Sequence, residues 1–452
     1  MLKSSLDIRG ISRWGREHKL ALYADDLLLY VSEPLQCVPH IVQLLQNFGV
    51  FSGYKTNLTK SECFPVNDLA LAISQEDLPF RLSKSGFRYL GINVTQTFSK
   101  LYNENFVPLI DKLKVDLQNW KSINLSLAGK INSIKMNVLP RFLYLFQCLP
   151  IFLKKSFFQS VDKMLSSYIW GGKAPRIQKI LLQQHRSQGG LGLPNLLHYY
   201  WASNIQKILY WLRSPEMSWC DIENESCIST SLPALVMSSL PLSASLYTSN
   251  AVVTNTLRIW SQFRNHFNLS DFSHLAPICN NHLFVPSRLD NTFALWKRLG
   301  LSTFKDFYSE GIFSTFDHLS RKFNLPVSSH FRYFQARHFI QNIDSNFPNA
   351  PQPTAIDDIF QIPSNPKGFI SRIYSNISFI KVTPLNKIKE NWEREFGEVI
   401  PEETWTEALK RVNSTTSCAR YYTVPTSPSL DWPNFILMLM GPVLDVGRLK
   451  QH

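Results

Sequence analysis

Within residues 20–31, two adjacent aspartates, Asp25 and Asp26, stand between two short apolar runs. No other stretch of the 452 residues constrains the fold as much. The flanks, 19–23 and 27–31, carry Leu, Tyr and Val, and turn-forming residues separate them. That pattern predicts two buried strands of a β-hairpin, with Ala24-Asp25-Asp26 as the connection. Carboxylates about 4–6 Å apart repel by about 1 kcal/mol in water and by several in a lower effective dielectric. A divalent cation removes that cost, and hard oxygen donors select Mg²⁺ or Mn²⁺. A solvated turn is the plain alternative for a bare Asp-Asp. Tyr23-Ala24 and the two apolar flanks make this pair more specific.

Downstream, Val38, Ile41, Leu44, Leu45 and Phe48 recur at three and four residues, predicting an amphipathic helix over 35–51. Pro39 is placed in its first turn, and Gly49 and Gly53 loosen or end it. Strands are expected at 62–66 and 88–94, completing a small antiparallel sheet with one helix on its face. Helical periodicity then dominates: 104–120, 127–148 with a kink or break at Pro140, 157–170, and 199–212. Tyr200, Trp201, Tyr210 and Trp211 on the last of these read as core in preference to base-stacking residues. Residues 214–255, rich in Ser, Leu and Pro, read as a linker with short helices. Helical patterning returns over 256–342. Five prolines make 342–367 a long exposed loop. Further helices are expected at 385–396 and after Pro401, and the tail from Val424 is poorly patterned.

The motifs occur in an order that resembles the palm and thumb of reverse transcriptases of LINE-type (non-LTR) retrotransposons. Tyr23-Ala24-Asp25-Asp26 matches their Tyr/Phe-x-Asp-Asp hairpin. Ser52-Gly53-Tyr54-Lys55-Thr56-Asn57 with Lys60-Ser61 is similar to the next palm motif. Phe87-Arg88-Tyr89-Leu90-Gly91-Ile92 is similar to the primer grip. Trp120-Lys121, Gly129-Lys130-Ile131-Asn132 and Lys135-Met136 to Leu139-Pro140 resemble the thumb. Tyr168-Ile169-Trp170, Pro175-Arg176-Ile177 and Gly189-Gly190-Leu191-Gly192-Leu193-Pro194 continue the series. The similarity runs from about residue 11 to 212 and is faint at 296–313 and 331–340.

The resemblance implies an α+β chain: a palm remnant over 1–100, a basic helical thumb over 101–213, the linker 214–255 and an α-helical region over 256–452. Asp25 would bind the catalytic Mg²⁺ or Mn²⁺ pair, with Asp26 supporting it. Lys55 or Lys60 would neutralise or protonate the leaving pyrophosphate; the alternative for each is a solvated surface charge. Tyr23, Lys55, Arg88, Lys112, Lys130, Lys135, Lys173, Arg176, Lys179 and Arg186 would contact an RNA template and DNA primer. The family's first palm aspartate, fingers and endonuclease would lie before Met1, and no Cys/His knuckle follows Cys418. The expectation is therefore a retroelement fragment, inactive alone, with weak or no metal binding. The alternative is a non-catalytic nucleic-acid-binding remnant; a helical scaffold with a chance Tyr-Ala-Asp-Asp is a weaker third. An intracellular place, nuclear or cytoplasmic, in an element RNA–protein complex and with no membrane partner, belongs to the same expectation.

Charge points the same way. Residues 1–213 hold 26 Lys and Arg against 13 Asp and Glu, whereas 214–452 hold 21 of each, so the whole excess of +13 lies in the first part. From Lys163 to Arg213 there are seven basic residues and no acid. This is the footprint of a phosphate-binding surface, with a generic basic surface as the alternative. Seven dispersed cysteines suit a reducing compartment better than a disulfide framework. Cys279-x-x-His282 with His274 and His266 is a minor metal candidate, with no second Cys pair to support it. The start is no signal peptide, and the longest apolar stretches, 139–153 and 435–446, are interrupted or too short to span a bilayer.

Overall fold

A computed structural model describes residues 2–13, 15–186, 189–214, 217–239, 242–269 and 272–380, with Glu393, Arg394, Val399 and Pro401. The helix expected at 385–396, the one after Pro401, and the tail with Cys418 and 435–446 lie outside the described residues, apart from those four. The chain is α+β: helices with small, separate two-stranded ladders. It forms two compact units. One takes residues 1–113, 142–153 and 207–357; the other takes 114–141, 154–206 and the described residues after Asp357.

The first unit opens with an unexpected hairpin, β1 (Ile11–Arg13) and β2 (Arg16–His18). The Asp-Asp hairpin follows as β3 (Leu20–Tyr23) and β4 (Asp26–Leu29). Helix α1 (Pro34–Ser52) starts with a proline where no N–H is needed and ends at Gly53, in a left-handed conformation with φ 75°. Pro39 therefore falls inside the helix, one turn later than expected. Cys37 and Ile41 of α1 join Ile8 in a small core, against which Leu29, Val31, Leu44 and Leu45 pack. Each fully buried aliphatic of this kind contributes about 1.5–3 kcal/mol. This core fixes the hairpin to the helix.

The expected single antiparallel sheet does not form from these strands. Pro65 cannot donate to a ladder, so the 62–66 run shrinks to β5 (Glu62–Cys63). After the short helix α2 (Asp68–Leu71), it pairs in parallel with β6 (Arg81–Leu82). The run 88–94 is not one strand. It is a hairpin, β7 (Gly86–Tyr89) and β8 (Ile92–Thr95), turned by Leu90 at φ 46° and Gly91 at φ 80°. Two consecutive positive φ values are the geometry that suits the twist of a two-residue hairpin.

Helix α3 (Leu101–Trp120) carries the apolar stripe read from the sequence, with Phe106, Leu113 and Leu117 buried. The expected kink near Pro140 takes the form of a π turn over 134–138, between α4 (Leu127–Ser133) and α5 (Leu139–Cys148). A proline ring clashes with the carbonyl four residues earlier, and a widened turn there moves that carbonyl away. Then come α6 (Lys155–Trp170), α7 (Lys179–Gln183) and α8 (Leu196–Arg213). Tyr200, Trp201 and Trp211 of α8 are buried.

Residues 214–255 hold α9 (Ser218–Glu225), α10 (Leu232–Val236) and the start of α11 (Ala251–Phe267). The short helices expected there are present, and α10 is packed. Leu232, Leu235 and Val236 are buried, and the Trp260 indole donates to the Val236 carbonyl at 2.8 Å. Helices α12 (Pro286–Leu289) and α13 (Thr292–Arg298) lead to the ladder β9 (Tyr308–Ser309) and β10 (Ile312–Phe313). Helices α14 (Phe316–Phe323) and α15 (His330–Ile343) follow, and Phe284, Phe304 and Phe339 stack around one another at 5.1–5.8 Å.

The expected loop 342–367 contains a helix, α16 (Ala355–Gln361), with Ile356, Ile359 and Phe360 buried. Thr354 and Asp357 cap its start reciprocally: the Thr354 N–H donates to the carboxylate at 2.8 Å and the Asp357 N–H to the hydroxyl at 3.3 Å. The last described helix is α17 (Phe369–Ile380). Among the described residues, no helix is long and apolar enough to cross a membrane.

Candidate functional site

In the first unit, the β3–β4 ladder pairs Leu20 with Leu29, Ala21 with Leu28, Leu22 with Leu27 and Tyr23 with Asp26. Ala24 and Asp25 are left as a two-residue turn. Ala24 sits at φ 50°, a left-handed conformation that costs a non-glycine residue about 1–2 kcal/mol. Both aspartates are exposed. Among the described residues, neither accepts a side-chain hydrogen bond nor forms an ion pair. Their oxygens thus face water from one end of a hairpin held by the α1 core. Such a pair can take up a hydrated Mg²⁺ or Mn²⁺. Among the described residues, no His, Cys, Asp or Glu completes a metal-holding group of three, here or elsewhere.

Four phenols, Tyr23, Tyr30, Tyr89 and Tyr144, lie at this end of the unit. Burial pushes the Tyr89 phenol up, and the nearby Tyr30 and the Asp26 carboxylate add to the effect. The Tyr144 phenol is pushed up to about 12, mainly by burial and then by Cys148 and Tyr23. Tyr144 donates to the Leu90 carbonyl, and a Cβ added at Gly91 would lie 3.8 Å from its ring. Hairpins β3–β4 and β7–β8 are thus brought close through Asp26, Tyr23, Tyr30, Tyr89 and Tyr144, of which the sequence singled out only the first two as site residues.

Lys55 and Lys60 lie exposed on the segment after α1, shaped by Asn57. Its side-chain oxygen accepts from Thr59 at 2.7 Å and from the Lys60 N–H at 3.1 Å. Arg88 on β7 and Lys112 on α3 are also exposed. Among the described residues, the side chains of these four have no protein partner and make no ion pair with Asp25 or Asp26.

The second unit divides the remaining candidates. Lys130 is half-buried. Its ammonium donates to the Ile169 carbonyl at 3.1 Å, closing the C-terminus of α6, and lies 5.6 Å from the Tyr168 ring. Lys135 donates to the Leu191 carbonyl at 3.2 Å; burial and then the Arg186 charge hold its pKa below the usual lysine value. Lys179 is paired with Asp162. The sequence hid these roles because the partners lie 39, 56 and 17 residues away. Arg186 donates to Asn132 at 3.2 Å but stays exposed. Lys173 and Arg176 are exposed in the loop after α6, with no side-chain partner among the described residues. The structure adds a groove of about 320 Å³ between the end of α3 and α6, edged by Lys114, Lys121 and Lys163. The (i, i+7) spacing of Lys114 and Lys121 was the available signal.

Among the described residues, Cys279, His282, His274 and His266 do not come together as a metal-holding group. His282 faces the Thr230 hydroxyl at 3.4 Å and the Tyr247 ring at 4.7 Å. No known protein-family model matches the chain.

Proposed function

We propose that this chain is a nucleic-acid-binding part of a LINE-type reverse transcriptase: β3–β4, α1 and β7–β8 belong to its palm, and α3 to α8 to its thumb. The observation that carries the reading is the Tyr23-Ala24-Asp25-Asp26 hairpin. It turns through a strained alanine and offers two carboxylates to solvent with no basic partner among the described residues. Strained, non-glycine turns that persist are concentrated at functional sites. The exposed Lys55, Lys60, Arg88, Lys112, Lys173 and Arg176 support it as phosphate contacts, which position a duplex and carry little sequence information.

Polymerisation by two metals activates a primer hydroxyl at one ion and stabilises the leaving pyrophosphate at the other. It takes at least one carboxylate more than this turn supplies. That count favours the second reading, a binding module without synthesis of its own. Primer extension on an RNA template with Mg²⁺ or Mn²⁺, comparing the chain with Asp25→Ala, tests both. We expect template–primer binding without extension by the isolated chain. Extension that depends on Asp25 would overturn the inactive reading, and failure to bind RNA or DNA at all would overturn the family reading.

A further inference from the structure

We propose that the groove between α3 and α6 is a seat for a single nucleic-acid strand, with three lysines on the phosphodiester backbone and an apolar floor under a base or ribose. The inference rests on the nucleic-acid reading above and adds to it a site that the motif series did not single out. Lys114, Leu117, Gln118 and Lys121 recur at three, four and seven residues, so they share one face of α3. Lys163, Met164, Ser167 and Tyr168 come from α6, and together these eight residues line the groove. Leu117 is 5% exposed, which makes it floor, whereas Lys114, Lys121 and Lys163 are exposed at the rim. Lys121 donates to the exposed Gln118 amide at 3.0 Å, a bond that water or a phosphate replaces easily. The Lys163 side chain has no partner among the described residues. Lys130, Lys135 and Lys179 on the same unit are engaged with the protein itself. Lys114, Lys121 and Lys163 converge on this groove.

The shape of the groove decides the class of ligand. A duplex keeps its base faces stacked inside and offers phosphates on a convex surface. It reaches a rim of lysines but leaves an apolar floor uncovered unless a base is flipped out. A single strand offers both at once: phosphates to the lysines and an unstacked base or sugar to Leu117 and Met164. The volume, near the lower end for ligand pockets, suits about one nucleotide. Contacts of this kind discriminate weakly among sequences.

The test is fluorescence anisotropy of the full chain with a labelled 16-nucleotide oligouridine, alone and annealed to its complement, over a series of KCl concentrations. Lys121→Gln/Lys163→Gln is compared with Lys305→Gln/Lys322→Gln, which removes the same charge in the neutral half of the chain. Circular dichroism checks that both fold. We expect the single strand to bind more tightly than the duplex. The groove variant should weaken it about tenfold and flatten the salt slope by about 1.4, the loss of two single-strand contacts. The control variant should change neither. Tighter duplex binding, or unchanged single-strand binding by the groove variant, would overturn the groove proposal while leaving the broader reading intact. Absence of any binding by the unaltered chain would overturn both.

Discussion

The Tyr144 hydroxyl donates its hydrogen to the Leu90 carbonyl, tying α5 to the left-handed turn of the β7–β8 hairpin. Tyr144 also lies near enough to the Tyr23 phenol for the two to interact electrostatically. Tyr144→Phe should cost about 1 kcal/mol of unfolding free energy, read by urea denaturation. The phenol is raised from 10 to about 12, so the folded state keeps a proton that the unfolded state loses. Its contribution is present in full below pH 10 and is lost as pH rises towards 12. In Tyr144→Phe that alkaline loss should shrink.

Ala24→Gly should stabilise the protein by about 0.5–1 kcal/mol, because glycine adopts φ 50° without the strain that alanine carries there. Ala24→Val should destabilise it by more than 1 kcal/mol. Midpoints of denaturation check both. No gain from Ala24→Gly would mean that the turn is not strained.

Acid should weaken the protein through two histidines. Burial, with Arg288 second, lowers His282 to about 4 from 6.5. Burial also lowers His274, against the opposing charges of Asp344, 3.2 Å away, and Asp357. Below pH 6.5 the unfolded chain takes up protons that the folded chain refuses. Stability is thus present above 6.5 and falls as pH drops towards 4. The slope expected for one such group is up to about 1.4 kcal/mol per pH unit. His282→Gln should flatten the decline measured by urea denaturation at pH 4.5–7.

Elements carried by neighbouring residues were legible in the sequence. The apolar stripe of α3 and the Asp25-Asp26 turn stand in short runs whose period names the element. Hairpin β7–β8 was not, because Leu90 before Gly91 continues an apolar run and gives no sign of its positive φ. Helix α16 was hidden by the prolines around it, although Thr354-x-x-Asp357 before Ile359-Phe360 is a capping signal. At the site, Tyr23, Asp25 and Asp26 were readable from the motif. The parts played by Tyr89, Tyr144 and Lys130 depend on contacts distant in sequence, which periodicity does not carry.

Lys130 and the pair Lys173/Arg176 should separate by phenotype. Lys130→Met removes a charged donor from the end of α6 and should cost about 1 kcal/mol of stability with little change in salt dependence. Lys173→Gln/Arg176→Gln should leave stability unchanged and flatten the duplex salt slope by about 1.8. Anisotropy titrations across KCl, beside urea melts, read both. The reverse pattern would mean that the roles are exchanged.

The most direct test is the affinity of the full chain for a recessed RNA–DNA template–primer, titrated with Mg²⁺, for the unaltered protein and for Asp25→Asn/Asp26→Asn. If the exposed pair at the β3–β4 turn holds a cation against the primer end, Mg²⁺ should tighten binding several-fold in the unaltered chain and not in the variant, while affinities in EDTA differ far less. An equal response to Mg²⁺ in both proteins, or none in either, would contradict the assignment of these two carboxylates.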